Sequence, residues 1–141
     1  MRKGFTVIEI LVVVAIIGIL ASVVLFGVDS AKRKARDARR VADLSQMAQV
    51  IEIYNNDNGE YPSDLNADLS QYFPQGVPND PVPSKTYNYV HDGSQCYVLR
   101  AELDRDNRSI LDRDLDGEID CGGIINCNDS EPPYFYCVGD L

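Results

Sequence analysis

One long apolar run dominates the first part of the chain. From Phe5 to Val28 the only charged residue is Glu9. As a helix this run would be about 36 Å long, which is enough to cross a hydrocarbon core of about 30 Å. A carboxylate inside such a core costs roughly 2.5–3.5 kcal/mol. The pattern therefore predicts a transmembrane helix over residues 5–28. Because Glu9 is costly in such a helix, we expect that it has a function there.

The apolar run leads into an amphipathic segment, residues 29–58. Its apolar positions recur at helical spacing along one side. The periodic positions are Val41, Leu44, Ala48 and Ile51, with Met47 and Tyr54 beside them, and the spacing continues to the polar Asn55. No proline occurs before Pro62, and the segment ends in NNDNG, where Asn or Gly can take the left-handed conformation that closes a helix. We expect one helix from about Phe5 to Asn56.

The remaining residues, 59–141, show strand and loop signals. Four prolines between positions 74 and 83 exclude both a helix and a central strand there. Two strand-like runs, Thr86–His91 and Gln95–Leu103, are joined by a turn that contains Asp92-Gly93, which is a strong hairpin signal. A third run covers Pro133–Val138. The pattern predicts an α+β fold, in which a long N-terminal helix packs against a small antiparallel sheet with long irregular loops, shaped like a ladle.

Charge is distributed unevenly along the chain, whose net charge is −9. Eight of the thirteen Lys and Arg residues lie in the first 40 positions, whereas nineteen of the twenty-two acidic residues follow them. An acidic globular region argues against nucleic acid as its partner and is compatible with cation binding. The basic residues between Lys32 and Arg40 would contact lipid head groups or acidic surfaces of neighbouring subunits, or would simply form a solvated helix face.

The residues around Glu9 form a specific motif. Residues 3–9 read KGFTVIE and are followed by the unbroken apolar run. This stretch resembles the signal of type IV pilins and type II secretion pseudopilins. The later segments NNDNGEYP, PNDPVP and TYNY are similar to the major pseudopilin of type II secretion. The resemblance covers about the first 100 residues.

The resemblance implies a processing and assembly route. A prepilin peptidase would remove residues 1–4 by cutting between Gly4 and Phe5, and Phe5 would then be N-methylated. The chain would lie in membrane lipid as a single-pass protein, with its N-terminus in the cytoplasm. With an inner-membrane assembly platform, it would polymerise with copies of itself. In that helical filament Glu9 would meet the Phe5 amino group of a neighbour, because a buried ion is tolerated when it is paired. The positive-inside rule opposes this orientation, since it would retain the Lys32–Arg40 cluster in the cytoplasm.

The connection between the second and third predicted strands carries a dense acidic motif. It contains alternating acidic residues and a glycine at the spacing of an EF-hand-type calcium loop. The candidate ligands are Asp112, Asp114, Asp116, Glu118 and Asp120. Position 12 of such a loop is Gly123 here, so a further ligand would come from Asp104, Asp106, Asp129 or water. The alternative is a solvated acidic loop. The resemblance supports calcium, because major pseudopilins bind it in the corresponding loop. We expect no helix on either side of the motif.

Four cysteines lie in the last third of the chain, and their even number predicts two disulfides in an exported domain. Three connectivities are possible. We favour Cys121 with Cys127, closing a short loop, and Cys96 with Cys137, linking two strands. Zinc is the alternative, although no CxxC occurs and His91 is the only histidine.

No catalytic motif is present, so we do not expect an enzyme. We favour a structural subunit of a type IV pilus-like filament, extracellular after assembly. The first alternative is the major pseudopilin of a type II secretion or DNA-uptake system, which would act in the periplasm. The second is a membrane-anchored, calcium-binding adhesive domain that does not polymerise. The sequence alone leaves pilin and pseudopilin unresolved.

Overall fold

The computed structural model describes residues 6–141, except for the side chains of residues 23–26. The chain divides into two compact units, Met1–Lys34 and Ala35–Leu141. One helix, α1, runs over Val7–Asn58 and supplies residues to both. It closes at Gly59, whose φ of +78° is the left-handed conformation and whose amide donates to the Asn55 carbonyl at 2.7 Å. The predicted long helix is confirmed, and it ends at Asn58, two residues after the predicted Asn56.

In the first unit, α1 presents apolar side chains on all sides. The large apolar residues from Val7 to Leu20 are each more than half exposed. By length and composition α1 is the one helix of the described residues that could cross a membrane. A helix that is apolar all round needs lipid or protein around it. Together with the N-terminal motif, this surface fits membrane anchoring before assembly.

The second unit contains a three-stranded antiparallel sheet of β1 (Asn88–Asp92), β2 (Cys96–Leu103) and β5 (Tyr134–Asp140), in the order β1-β2-β5. The β1–β2 turn contains Gly93 at φ +50°, which is the left-handed backbone that the predicted Asp-Gly turn requires. The helix and the small antiparallel sheet confirm the predicted α+β class.

Residues of β2 alternate between two cores. Tyr97, Leu99 and Ala101 face the main core, which includes Leu44, Met47 and Ile51 of α1. The intervening Val98 packs in a smaller cluster with Cys121, Ile125, Cys127 and Cys137. Because successive strand residues point to opposite faces, one strand joins both cores. The predicted stripe of α1 supplies the helix side of the main core.

A buried ion network ties α1 to the proline-rich loop and to the end of β2. Arg40 has no exposed surface. Its Nη1 donates to Asp37 Oδ1 at 2.8 Å and lies 3.1 Å from Asp104 Oδ1. Arg36 donates to Asp104 at 2.6 Å, and Lys85 at 2.9 Å. Arg36 and Arg40 were expected to contact lipid head groups or acidic surfaces of neighbouring subunits, or to lie on a solvated helix face. Both instead pair with carboxylates of their own chain.

Several short elements were not predicted. They are α2 (Leu65–Asp68), α3 (Arg108–Leu111), and a two-stranded sheet of β3 (Glu118–Asp120) and β4 (Ile124–Asn126). The expectation of no helix beside the acidic motif is wrong, because α3 ends directly before Asp112. A four-residue helix is too short to show a periodic apolar pattern, so no such pattern predicted it.

Candidate functional site

Thr6 and Glu9 form a reciprocal cap at the start of α1. The backbone amide and the hydroxyl of Thr6 donate to Glu9 Oε2 at 2.9 and 2.8 Å, and the Glu9 amide donates to Thr6 Oγ1 at 3.3 Å. This is a capping box, which satisfies amides that the first helical turn leaves unpaired. Gly4 and Phe5, the predicted cleavage and methylation positions, lie outside the described residues.

The acidic motif folds into a loop between α3 and the β3–β4 hairpin. Gly117 has a φ of +89°, a conformation that favours glycine, and it turns the chain into β3. Three carboxylates converge around this turn. Oxygens of Asp114, Asp116 and Asp129 lie within 4.8 Å of one another. We call these three residues the Asp cluster. Such a group of carboxylate oxygens can hold a metal ion.

The polar atoms of Asp114 fit a hard cation. Its Oδ2 accepts a hydrogen bond from the Cys137 amide at 2.7 Å. Its Oδ1 is buried and accepts no hydrogen bond from any residue that the structure describes. Burial raises the pKa of Asp114 to about 6, and the nearby Asp116 and Asp129 add to the rise. A buried carboxylate oxygen without a donor is costly, and a bound cation would supply the missing partner.

Asp129 is nearly buried, with 7% of its surface exposed. Its Oδ1 lies 3.5 Å from Arg108 Nη1, and its carbonyl accepts from Arg108 Nη2 at 3.3 Å. Arg108 is shared, because its Nε also lies 2.9 Å from Asp106. Since the Arg108 side chain is 48% exposed, its charge offsets the Asp cluster only in part.

Two of the five predicted ligands, Asp114 and Asp116, belong to the Asp cluster, and Asp129 is one of the three residues named as a further source. The structure does not bring the other three predicted ligands to this point, and they are exposed: Asp112, Glu118 and Asp120. Asp112 caps the C-terminus of α3, whereas Glu118 and Asp120 lie in β3 and pair with residues of β4. The residues at EF-hand spacing therefore do not adopt the geometry of an EF-hand loop here. The remaining candidates pair with basic side chains instead, Asp104 with Lys85 and Asp106 with Arg108.

The disulfides join Cys96 to Cys121 and Cys127 to Cys137, so the favoured pairing is wrong. In the sheet, Cys137 of β5 lies opposite Arg100 rather than opposite Cys96. In the hairpin, Cys121 follows β3 and Cys127 follows β4, which places them at opposite ends. Strand register decides this pairing. All four cysteines are paired in these two disulfides, so none of the described residues offers a cysteine thiolate to zinc.

Comparisons with known proteins agree with the N-terminal motif. Residues 1–25 match the family model described as the prokaryotic N-terminal methylation motif. The chain is 34% identical over 99 residues to the type IV wide pilus major component PilA4 of Thermus thermophilus, covering 70% of this chain and 72% of that protein. No solved structure matches the chain.

Type II secretion proteins are also among the relatives. The chain is 32% identical over 103 residues to the type II secretion system core protein G of Dickeya chrysanthemi, covering 73% of this chain and 62% of that protein. The corresponding protein of Escherichia coli is also 32% identical, with 66% of its length covered. The chain thus spans somewhat less than two thirds of these secretion proteins. From the motif, the fold and these relatives, the chain belongs to the family of type IV pilins and type II secretion pseudopilins.

Proposed function

We propose that this protein is a structural subunit of a type IV pilus-like filament, polymerised through the N-terminal part of α1. The observation that carries the proposal is the apolar surface from Val7 to Leu20, which is exposed in the single chain. Lipid covers such a surface before assembly, and equivalent helices of other copies cover it afterwards. The subunit has a structural function and is not an enzyme.

Processing by a prepilin peptidase precedes assembly in this proposal. Cleavage after Gly4 frees the amino group of Phe5, which is then methylated. Glu9 is retained because its carboxylate pairs with the Phe5 amino group of a neighbouring subunit, which removes the cost of an isolated charge. The capping box supports the proposal, because Thr6 holds the Glu9 carboxylate at the helix start and supplies two hydrogen bonds while that partner is absent. An inner-membrane platform is the expected assembly partner.

The major pseudopilin of a secretion or DNA-uptake system is the second candidate. It is favoured by relatives named core protein G of type II secretion systems, whereas PilA4 is named as a component of a type IV wide pilus. Both candidates are processed and polymerise. They differ in whether the filament extends outside the cell or stays within the periplasm. We favour an extracellular fibre over a short periplasmic one. The methylation motif counts against an adhesive domain that never polymerises.

We also propose that the Asp cluster binds calcium. Its donor set is oxygen only, which suits a hard cation, and the unpartnered Oδ1 of Asp114 fits a ligand position. The divalent ion would offset most of the negative charge of the three carboxylates and hold residues 114–116 against Asp129. Backbone carbonyls or water would complete the coordination.

The filament proposal is tested by shearing cells that express the chain, with and without their prepilin peptidase. We expect the chain in the sheared filament fraction only when the peptidase is present, because uncleaved subunits lack the free Phe5 amino group. If the chain appears in sheared filaments of the peptidase-deficient strain, cleavage is not required and the proposal fails.

A further inference from the structure

Both halves of the Cys127–Cys137 disulfide are hydrogen-bonded through their backbones to the acidic loop. The Cys137 amide donates to Asp114 Oδ2 at 2.7 Å, and its carbonyl accepts from the Leu115 amide at 3.1 Å. The Cys127 amide donates to the Gly117 carbonyl at 2.7 Å. Neither cysteine has any exposed surface. The loop that carries Asp114 and Asp116 is therefore anchored to the two ends of one covalent bridge.

The same bridge constrains the third member of the Asp cluster. Asp129 follows Cys127 by two residues, whereas Asp114 is bonded to the backbone of Cys137. The disulfide therefore limits the distance between the segment that carries Asp114 and the segment that carries Asp129. The contact of Asp129 with Arg108 involves a side chain that is half exposed, so it constrains Asp129 less.

The other disulfide, Cys96–Cys121, provides an internal comparison. It joins β2 to the end of β3 and belongs to the same small core. The Cys121 amide donates to the Gly123 carbonyl at 3.2 Å, at the turn of the β3–β4 hairpin. The Cys121 amide thus hydrogen-bonds within the tip of the hairpin, whereas Cys127 lies at the base of the hairpin, beside the acidic loop.

We propose that the Cys127–Cys137 disulfide is the positioning element of the cation site, so that oxidation of this cysteine pair and binding of a divalent cation stabilise each other. The inference rests on the proposed calcium site. Loss of a group that orients a metal ligand typically lowers the affinity for the metal about 10- to 100-fold. Linkage is reciprocal, so a bridge that strengthens cation binding is itself protected by the cation to the same degree.

The redox step is ordinary thiol–disulfide exchange. A dithiol reductant such as dithiothreitol supplies two electrons and two protons, the S–S bond breaks, two cysteine thiols form, and the reagent closes to its own cyclic disulfide. Because disulfides form in oxidising compartments, the cation site would be completed only after this part of the chain has left the cytoplasm.

The first test compares two double variants of the full chain in detergent micelles. Calcium chloride is titrated into Cys127→Ser/Cys137→Ser and into the matched control Cys96→Ser/Cys121→Ser, with binding followed by calorimetry. We expect calcium affinity to fall at least about tenfold in the first variant and less than about threefold in the second. Equal losses in both variants, or unchanged affinity in the first, would overturn the inference.

The second test uses the unmodified chain and does not depend on how the variants fold. The chain is equilibrated with mixtures of reduced and oxidised dithiothreitol, with calcium chloride or with a chelator, new thiols are alkylated, and the labelled peptides are quantified by mass spectrometry. We expect calcium to raise the equilibrium ratio of disulfide to dithiol at Cys127–Cys137 about tenfold while leaving Cys96–Cys121 nearly unchanged. Equal protection of both bridges would indicate general stabilisation and contradict the inference.

Calorimetry of the oxidised, unmodified chain separates this inference from the calcium proposal. If that chain binds no calcium, the calcium site fails and the inference falls with it. If it binds calcium but the cation does not protect Cys127–Cys137, the calcium site stands and only the inference is overturned.

Discussion

Arg40 and Asp80 face each other in a bidentate contact, with Nε–Oδ2 at 2.7 Å and Nη2–Oδ1 at 3.1 Å, and neither side chain is more than 1% exposed. The pair joins α1 to the proline-rich loop. Burial alone would lower the pKa of Arg40, but hydrogen bonds and charges from Asp80, with Asp104 and Asp37, hold that pKa above its usual value. Arg40 therefore stays charged at all ordinary pH values.

Replacing Arg40 should strongly destabilise the second unit. We expect Arg40→Ala to cost about 3–5 kcal/mol, because it leaves the buried carboxylates of Asp37 and Asp80 without their partner. The matched control is Arg39→Ala, one residue away, where the side chain is 61% exposed and the expected cost is under about 1 kcal/mol. All eight tyrosines lie in the second unit, so thermal unfolding followed by tyrosine circular dichroism reports on it. Equal midpoints for the two variants would contradict this account.

The network should also give stability a defined dependence on pH. Burial alone would raise the pKa of Asp104, but hydrogen bonds from Lys85 and Arg36 and the charge of Arg40 lower it to about 2. A lowered carboxylate pKa stabilises the fold fully above the unfolded value of about 3.8, and this contribution is lost as pH falls through 2.

We therefore expect Asp104→Asn to be less stable than the unmodified chain by about 2 kcal/mol at pH 7, with the difference shrinking between pH 4 and pH 2. Unfolding midpoints across this range, measured with a chelator present, check the prediction. Asp120→Asn, at an exposed position, is the control and should show no such trend. A difference that stays constant down to pH 2 would mean that the Asp104 charge does not contribute as described.

Calcium should raise the thermal midpoint of the second unit through the Asp cluster. Calcium at about 100 times its dissociation constant stabilises the folded state by about 2.7 kcal/mol, and 1 kcal/mol shifts the midpoint of a domain this size by about 4–8 °C. Asp114→Asn and Asp129→Asn should abolish most of the shift. Asp112→Asn, a position that the sequence pattern includes but the cluster does not, should retain it. Loss of the shift in Asp112→Asn alone would support the EF-hand pattern over the observed cluster.

Variants at Glu9 can separate charge pairing from helix capping. Glu9→Gln keeps an oxygen that can accept the Thr6 hydrogen bonds but removes the charge, whereas Thr6→Val removes the side-chain part of the capping box and keeps the charge. If pairing with Phe5 of a neighbour drives assembly, Glu9→Gln and Glu9→Ala should both leave processed subunits in the membrane, and Thr6→Val should still assemble. Filaments counted by electron microscopy decide the question. Normal assembly of Glu9→Gln would show that the charge is dispensable.

Local patterns in the sequence predicted the large elements of the fold. The stripe through Leu44, Met47 and Ile51 identifies the core face of α1, because helical periodicity depends on neighbours only a few residues apart. The Asp-Gly pair located the hairpin for the same reason. The burial of Arg40 could not be predicted, because its partners, Asp80 and Asp104, are distant in sequence and join it only through the tertiary fold.

In the candidate site, too, only residues close in sequence could be predicted to lie together. Asp114 and Asp116 lie close in sequence, so the motif identified them, whereas Asp129 reaches them only because the β3–β4 hairpin folds back. The disulfides followed strand register, which is not visible in cysteine spacing. Arg100 stands opposite Cys137, and that single register relationship excludes the predicted partner, Cys96.

The central claim is that this chain is a processed filament subunit, and its most direct test is the intact mass of the protein in sheared material and in membranes. We predict that sheared filaments contain the chain without residues 1–4 and with one additional methyl group on Phe5. The same processed mass confined to membranes would favour the pseudopilin alternative. Unprocessed protein in membranes alone, from cells with an active prepilin peptidase, would contradict the claim.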